Sequence, residues 1–334
     1  MNIVFSEASG LQDSIYGKVQ APIRLFIESK GQAAEQASMI PALFAMEKST
    51  HFEEKYTGMT AMSDFEPVGE NGSHPSNDMQ ESYSKNLENE TWKSRFSLSR
   101  EIVDDTNLMD LKKKPAGFIQ SYHTTRERFG AALWAAAMEG KTFATFRGRK
   151  FGTVCADGKA LFVKDHPSKV GGKTQGNLFS DAFSVDALAA VETAMQNFEG
   201  DNGDILQVAP NTILIPNDYE LKKDVFAAIG ADKDPATANN AFNFQFGRWN
   251  VVVWNYLNQF LTDGKKPWVL LDSKYNADYD GAIFQDRTPL EVKSRIDEDT
   301  DANVWQGYAR FTAGFNDWRF AAIGGVAGGT KLTK

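Results

Sequence analysis

The clearest hydrophobic pattern in the chain lies in TWKSRFSLSREI, residues 91–102, where Trp92, Phe96, Leu98 and Ile102 share one parity. Lys93, Arg95, Ser97, Ser99 and Glu101 occupy the other. Side chains alternate across a strand, so this spacing predicts a strand with one buried and one wet face. A weaker strand pattern, with Phe52, Tyr56 and Met62 on one parity, runs from His51 to about Asp64. Between the two lies FEPVGENGSHPSNDMQESYSK, residues 65–85, rich in Pro, Gly and acids and nearly empty of core formers. Two strands around a polar tip predict a long hairpin over 51–100. Arms of about 20 residues would reach roughly 65 Å. A free two-stranded ribbon is marginal in water, so this one needs a surface to lie on beyond what its own domain supplies.

A helical period follows. In PAGFIQSYHTTRERFGAALWAAAMEG, residues 115–140, Phe118, Tyr122, Phe129, Leu133 and Ala136 recur at helical spacings,. DDTN (104–107) offers N-cap residues, Pro115 suits a first turn and Gly140 a C-terminal stop,. The helix predicted over about 115–139 is a rod of roughly 37 Å. Short strands and turns fill 141–180, and a second unit starts near Phe183. It comprises a helix over 184–200 capped by Ser184 and ended by Gly200, a strand–turn–helix over 211–230, and apolar strands at 250–257 and 266–273. Alternation returns over 281–323, interrupted by the acidic DEDTDAN. Residues 1–45, where Ile23, Leu25, Phe26 and Ile27 stand among polar runs broken by Pro22 and Pro41, read as an arm that lies against something else. The class is α+β, without βαβ order or internal repeat.

The 334 residues suffice for two or three units around a sizeable core,. Hydrophobic content of 42% and charged content of 24% are those of a globular protein,. The net charge of −8 argues against a dedicated nucleic-acid binder, although RGRK (147–150) leaves room for a weak local contact,. Cys155 is the single cysteine, so no internal disulfide or cysteine-based zinc site can form,. The opening MNIVFSEASG has no signal-peptide layout, and AALWAAAM is far short of a membrane span, which together predict a soluble cytosolic product,.

No enzyme motif survives inspection. GGKT (171–174) lacks the leading glycine of a phosphate loop, whose place is held by Pro167,. Asp297, Asp299 and Asp301 have calcium-loop spacing, but Ala302 and Tyr308 stand where such a loop needs Gly and Glu,. GGVAGG near the C-terminus fits no dinucleotide fingerprint. His51, His74, His123 and His166 form no ligand pair, and Asp165-His166-Pro167 has no nucleophile tied to it, so His166 reads as a turn histidine,. Glu53 and Glu54 point to opposite faces of a strand. No metal or cofactor is expected, and Cys155 reads as a buried small residue.

The order of elements, together with RFSLSREIVDDTN (95–107), KALFVKDHPSKVGG (159–172), NTILIPNDYELKKDVFAAIG (211–230) and the closing strands from PWVLLDS onward, resembles the major capsid proteins of tailed phages. That is the Hong Kong 97 fold, and within it the Mu-like major head subunit group is most similar. The resemblance runs from about residue 45 to the end. It implies an N-terminal arm over 1–45, an E-loop hairpin over 46–103 and a P-domain over 104–180 with a spine helix. It further implies an A-domain over 181–280 and returning strands over 281–334. The implied function is a structural subunit assembling as pentamers and hexamers into the icosahedral head around phage DNA. The hairpin would overlie a neighbouring subunit, with Phe65, Glu66, Pro67, Tyr83, Trp92, Phe96 and Leu98 at that interface. Phe118, Tyr122, Phe129 and Leu133 would form the spine-helix core. Expected partners are further copies of the chain, a separate scaffolding protein, a portal, decoration proteins and weakly held double-stranded DNA, with no membrane. The location would be the virion, after assembly in the host bacterial cytoplasm. Lys55, Lys85 and Lys93 lie in the hairpin, but no motif singles one out for the cross-linking some members perform. Two alternatives remain open: an encapsulin-like cellular shell, and a cytosolic enzyme or ligand-binding protein with a lid at 65–85.

Overall fold

The computed structural model describes residues 4–7, 29–59, 67–70, 72–74, 81–101, 113–169, 173–230, 243–262 and 264–333. The strand expected from the strongest alternation is β5 (Glu90–Leu98), but its partner is not the preceding segment. It pairs antiparallel with a strand more than two hundred residues later, β12 (Asn303–Phe315), with Phe96 opposite Trp305 and Trp92 opposite Ala309. β12 pairs in turn with β11 (Ala282–Ile296). The far side of β11 takes β1 (Val4–Glu7) and β2 (Ala45–Lys48), both parallel to it, at different points along its length. These five strands form one sheet.

The hairpin is therefore shorter than expected. Its strands are β3 (Glu53–Met59) and β4 (Glu81–Glu88), with Glu53 opposite Glu88 and Met59 opposite Glu81. Glu81–Lys85, read above as part of the loop, belong to the returning strand. Parity explains the misreading: an alternating strand announces which face it buries but not which strand it pairs with. Asn89 makes the break between β4 and β5. It is buried, and its side-chain amide donates to Ser49 Oγ (2.8 Å) and to the carbonyl of His51 (2.9 Å), fixing the corner where the chain leaves the hairpin for the sheet.

A four-residue helix α1 (Ile40–Leu43) leads into β2, and the long helix α2 (Lys113–Met138) crosses the inner face of the five-stranded sheet. Its end matches the glycine signal. Gly140 takes φ +70°, and the Lys141 amide donates back to the Ala136 carbonyl at 2.9 Å, the pattern of a left-handed helix cap,. The DDTN cap and the arm residues 8–28 lie outside the described residues. Phe129 packs among Trp92, Phe146, Phe151, Phe284 and Phe311, and Trp134 among Phe44, Phe162, Phe315 and Phe320. At Gly130 a Cβ would sit 3.1 Å from Trp254 and 3.2 Å from Phe44, so the bare backbone lets three elements meet.

A small hairpin of β6 (Phe143–Phe146) and β7 (Arg149–Gly152) follows. It turns through Arg147 and Gly148, both at positive φ, the geometry that matches strand twist in a two-residue hairpin,. A second sheet then runs β13 (Ala321–Gly324), β10 (Trp268–Leu271), β8 (Thr212–Pro216), β9 (Asn250–Trp254). Its helices are α3 (Val185–Gln196), α4 (Tyr219–Ile229) and α5 (Ser273–Asp278). Ser184 caps α3 by accepting from the Ala187 amide, as expected. The helix stops at Gln196 rather than near Gly200, because Phe198 turns into the core. Every residue of β8 is buried, as in a strand covered on both faces,. The returning segment is shared between the sheets, with β11 and β12 in the first and β13 in the second.

Candidate assembly surfaces

The β3–β4 hairpin lies on the outer face of its own five-stranded sheet. Leu87 sits over Gly314, where any Cβ would come within 2.6 Å of it. Tyr56 donates its hydroxyl proton to Gln285 Oε1 at 2.9 Å. Burial, reinforced by the carboxylates of Glu47 and Asp280, raises the Tyr56 phenol above its ordinary range. Lys85 Nζ donates to the carbonyls of Val154 (2.5 Å) and Phe315 (3.0 Å), and burial pulls its pKa down. Ser82 Oγ donates to Asp201 Oδ2 (2.8 Å), and Lys169 Nζ to the carbonyls of Glu81 and Ser82. The turn into β3 is organised by Glu54. It accepts from the amides of Thr50 and His51 and from Ser49 Oγ, which holds its carboxyl at about 2. The root is thus latched by polar side chains, to backbone carbonyls and to Gln285 and Asp201, around the buried Leu87.

Of the expected interface residues, Phe65 and Glu66 lie outside the described residues, and Pro67 is exposed. Tyr83 is half-buried, with Lys169 Nζ 5.8 Å from its ring centre. For Trp92, Phe96 and Leu98 the packing partners found lie in the same subunit. The three side chains point into the subunit's own interior, Trp92 stacked on Phe311, and Phe96 and Leu98 in a smaller cluster with Phe118, Ile119, Leu290, Val292 and Trp305. β12 sets Ala309 opposite Trp92, Trp305 opposite Phe96 and Asn303 opposite Leu98; Leu98 is buried within the subunit, while Trp92 and Phe96 are half-buried. Phe118 belongs to that smaller cluster, Phe129 and Leu133 to the main core, and Tyr122 touches both. Of the three lysines, Lys85 is held inside, while Lys55 and Lys93 are exposed.

Two residues of α2 escaped the pattern reading. Arg126 is buried and grips Asp286 of β11 in two parallel bonds, Nη1–Oδ1 at 2.5 Å and Nη2–Oδ2 at 2.8 Å. Burial opposes its charge, yet the bonds to Asp286 and Tyr122 hold its pKa above the ordinary arginine value. Its guanidinium carbon also lies 4.5 Å from the Phe284 ring centre and 5.0 Å from that of Phe311. The signal was present: Arg126 falls on the stripe of Phe118, Tyr122, Phe129 and Leu133, and a charge on a core stripe needs a partner. Glu127 had no such signal. It accepts from Ser38 Oγ (2.5 Å), the Met39 amide (3.1 Å) and Trp254 Nε1 (2.9 Å), joining the chain before β2, α2 and the second sheet.

The remaining chemical candidates have structural roles. His166 is buried and bonded through Nδ1 to Asp157 at 2.6 Å, with its ring stacked on Trp318 at 4.3 Å. Burial pushes the Cys155 thiol far up, which disfavours the thiolate a nucleophile requires,. DEDTDAN lies at the turn between β11 and β12. Among the described residues no group of three His, Cys, Asp or Glu side chains is placed to hold a metal ion. No helix among them is long and apolar enough to cross a membrane.

The second sheet presents a surface of another kind. Tyr219 and Phe226 lie two turns apart on α4, 78% and 50% exposed. Phe244 and Phe246 are also exposed, and Asn243 next to them bonds the Ala228 carbonyl near the end of α4. Large apolar side chains exposed on neighbouring segments make this face a candidate contact surface,.

Comparison with known proteins adds the family. A search of curated proteins finds no match. Among solved structures, the chain is similar to that of Mycobacterium phage Patience at 12% identity, covering 100% of this chain and 94% of that one with a TM-score of 0.49. It is similar to that of Mycobacterium phage Adephagia at 13% identity, covering 91% and 90% with a TM-score of 0.47. For the procapsid of bacteriophage JBD30 the values are 15% identity, 92% and 74% coverage and a TM-score of 0.45. The family model for phage capsid protein matches residues 85–324, from the latched lysine of β4 to the last residue of β13. The match spans both sheets, the long helix and the strands that close them, so the chain belongs to the phage capsid protein family and is a structural part of the virion.

Proposed function

We propose that this subunit tiles a closed icosahedral head as pentamers and hexamers, in a structural rather than catalytic role. In this reading the five-stranded sheet and α2 form the P-domain, with α2 as its spine, and residues 181–280 with β13 form the A-domain. The hairpin and residues 60–80 between its strands reach a neighbouring copy. The Tyr219–Phe226 face meets adjacent copies within a capsomer. Heterologous contacts of this sort close into rings when the rotation between copies closes. A separate scaffolding protein, a portal, decoration proteins and weakly held packaged DNA complete the partner set.

The observation that carries this reading is the family match across both sheets. The hairpin fits it, because its latch holds the root to one subunit while the sequence between the strands is polar and poor in core-forming residues. The test replaces residues 60–80 by Asn-Gly, a two-residue turn suited to joining Met59 to Glu81,. The full-length chain is expected to yield shells, tubes or rings in negative-stain electron microscopy. The shortened chain is expected to keep its circular dichroism and elute as a soluble subunit that builds none of these. Normal shells from the shortened chain would remove the hairpin from the assembly contacts. A full-length chain that stays a monomer or dimer, even with scaffolding protein added, would sink the shell reading.

A further inference from the structure

Among the described residues, the hairpin covers the outer face of the five-stranded sheet at one end, around Gln285 and Gly314. Beyond that end, strand register sets a cation on each of four successive outward rungs. Arg310 lies between Thr91 and Thr288, and Lys93 lies opposite Tyr308. Arg95 and Lys293 flank Gln306, and Arg295 lies opposite Val304. Glu291 is the one carboxylate on these rungs. Lys93, Arg95, Lys293 and Arg295 are exposed and Arg310 is half-buried. Among the described residues none of the five forms an ion pair, and Arg310 Nε is buried with no hydrogen-bond acceptor. In a chain of net charge −8, five unpaired cations in a row call for an external anion.

We propose that this row is a phosphate-backbone contact for double-stranded DNA, a proposal that rests on the reading of the chain as a shell subunit and names the surface involved. Rungs two residues apart are about 6.7 Å apart, so the row extends about 20 Å. A duplex carries one charge per about 1.7 Å of axis, so roughly a dozen phosphates lie alongside that length. Three of the five cations are arginines, whose planar fork suits phosphate oxygens. The residues between them are Thr91, Ser97, Thr288, Glu291 and Gln306, which are small or polar, and Val304, which is buried; Tyr308 sits under Lys93 Nζ at 5.7 Å. That surface lacks the apolar centre of a stable subunit interface and offers no free ring for stacking on bases. It therefore fits contact with the backbone and no reading of sequence.

The test is fluorescence anisotropy of a labelled duplex of about 30 base pairs with the unassembled full-length chain between about 50 and 200 mM salt, since each neutralised phosphate adds about −0.9 to the slope of log K against log salt. If all five cations engage, the wild-type slope is about −4.5. Arg95→Gln/Arg295→Gln/Arg310→Gln is expected to make it shallower by about 2.7, and the exposed pair Lys93→Gln/Lys293→Gln by about 1.8,. The second variant keeps the test valid if removing the half-buried Arg310 disturbs folding. Undetectable wild-type binding, or variants with unchanged slope and affinity, overturns the proposal. So do variants that keep DNA binding but build no shells, which would assign the face to an acidic surface of a second copy. Shell formation by the wild type is scored separately by microscopy. A chain that binds through these residues yet builds no shells would overturn the capsid-subunit reading and leave the contact standing.

Discussion

The pair between Arg126 and Asp286 is the most exposed to test, because it places an ion pair where α2 crosses the sheet. Both residues are buried, and the two bonds of 2.5 and 2.8 Å satisfy both carboxylate oxygens. Asp286→Ala leaves a guanidinium that cannot lose its proton, enclosed by Phe284, Phe311 and Tyr122,. Breaking a buried pair from one side costs about 3–5 kcal/mol. Replacing both partners by apolar residues of similar size removes the desolvation penalty along with the attraction, and is often neutral or stabilising. The expected order of stability is therefore wild type close to Arg126→Met/Asp286→Leu, and both far above Asp286→Ala. Urea unfolding of the unassembled subunit, read by tryptophan fluorescence, gives the midpoints at a common slope. Two results would refute the reasoning. One is a loss below about 1 kcal/mol for Asp286→Ala, the range of a solvent-exposed pair. The other is a double variant no better than the single one.

Leu98→Ala is expected to cost the isolated subunit about 2–5 kcal/mol, as for other core leucines, and to lower soluble yield before assembly is reached. Unchanged urea stability combined with failed assembly would return Leu98 to an interface. Glu139 gives a pH prediction. Burial works against its charge, but bonds from Lys141 Nζ and the Thr262 amide win and hold its carboxyl at about 2, below the ordinary 4.5. A lowered carboxyl stabilises the fold fully above its unfolded value and loses that contribution as pH falls from 4.5 towards 2. Glu139→Gln is expected to flatten the decline of the urea midpoint across that window; an identical decline in the variant would show that the acid limb comes from other groups. Tyr219→Ser/Phe226→Ser removes exposed apolar surface, so subunit stability is expected to hold within about 0.5 kcal/mol while shells or rings are lost. Normal assembly would free the α4 face from that role.

Much of this molecule follows from local pattern. The span of α2 and its stop at Gly140, the Ser184 cap, the strand–turn–helix of β8 and α4, and the closing strands rest on periods and caps that act within a few residues. So does the inward parity of Trp92, Phe96 and Leu98. Arg126 on an apolar stripe even announces a buried partner. What no local period carries is the identity of a strand's mate. β5 alternates as well for a hairpin with 51–64 as for a ladder with β12, and only the three-dimensional competition for apolar partners selects β12. That choice shortened the hairpin, turned Trp92, Phe96 and Leu98 towards the clusters of their own subunit, and placed Leu87 and Tyr56 over Gly314 and Gln285. It also aligned Lys93 and Arg95 of β5 with Arg310, Lys293 and Arg295 on one face, although about two hundred residues separate them along the chain. Period fixes which way a side chain points; pairing across long loops, governed by the burial of whole faces, decides what it meets.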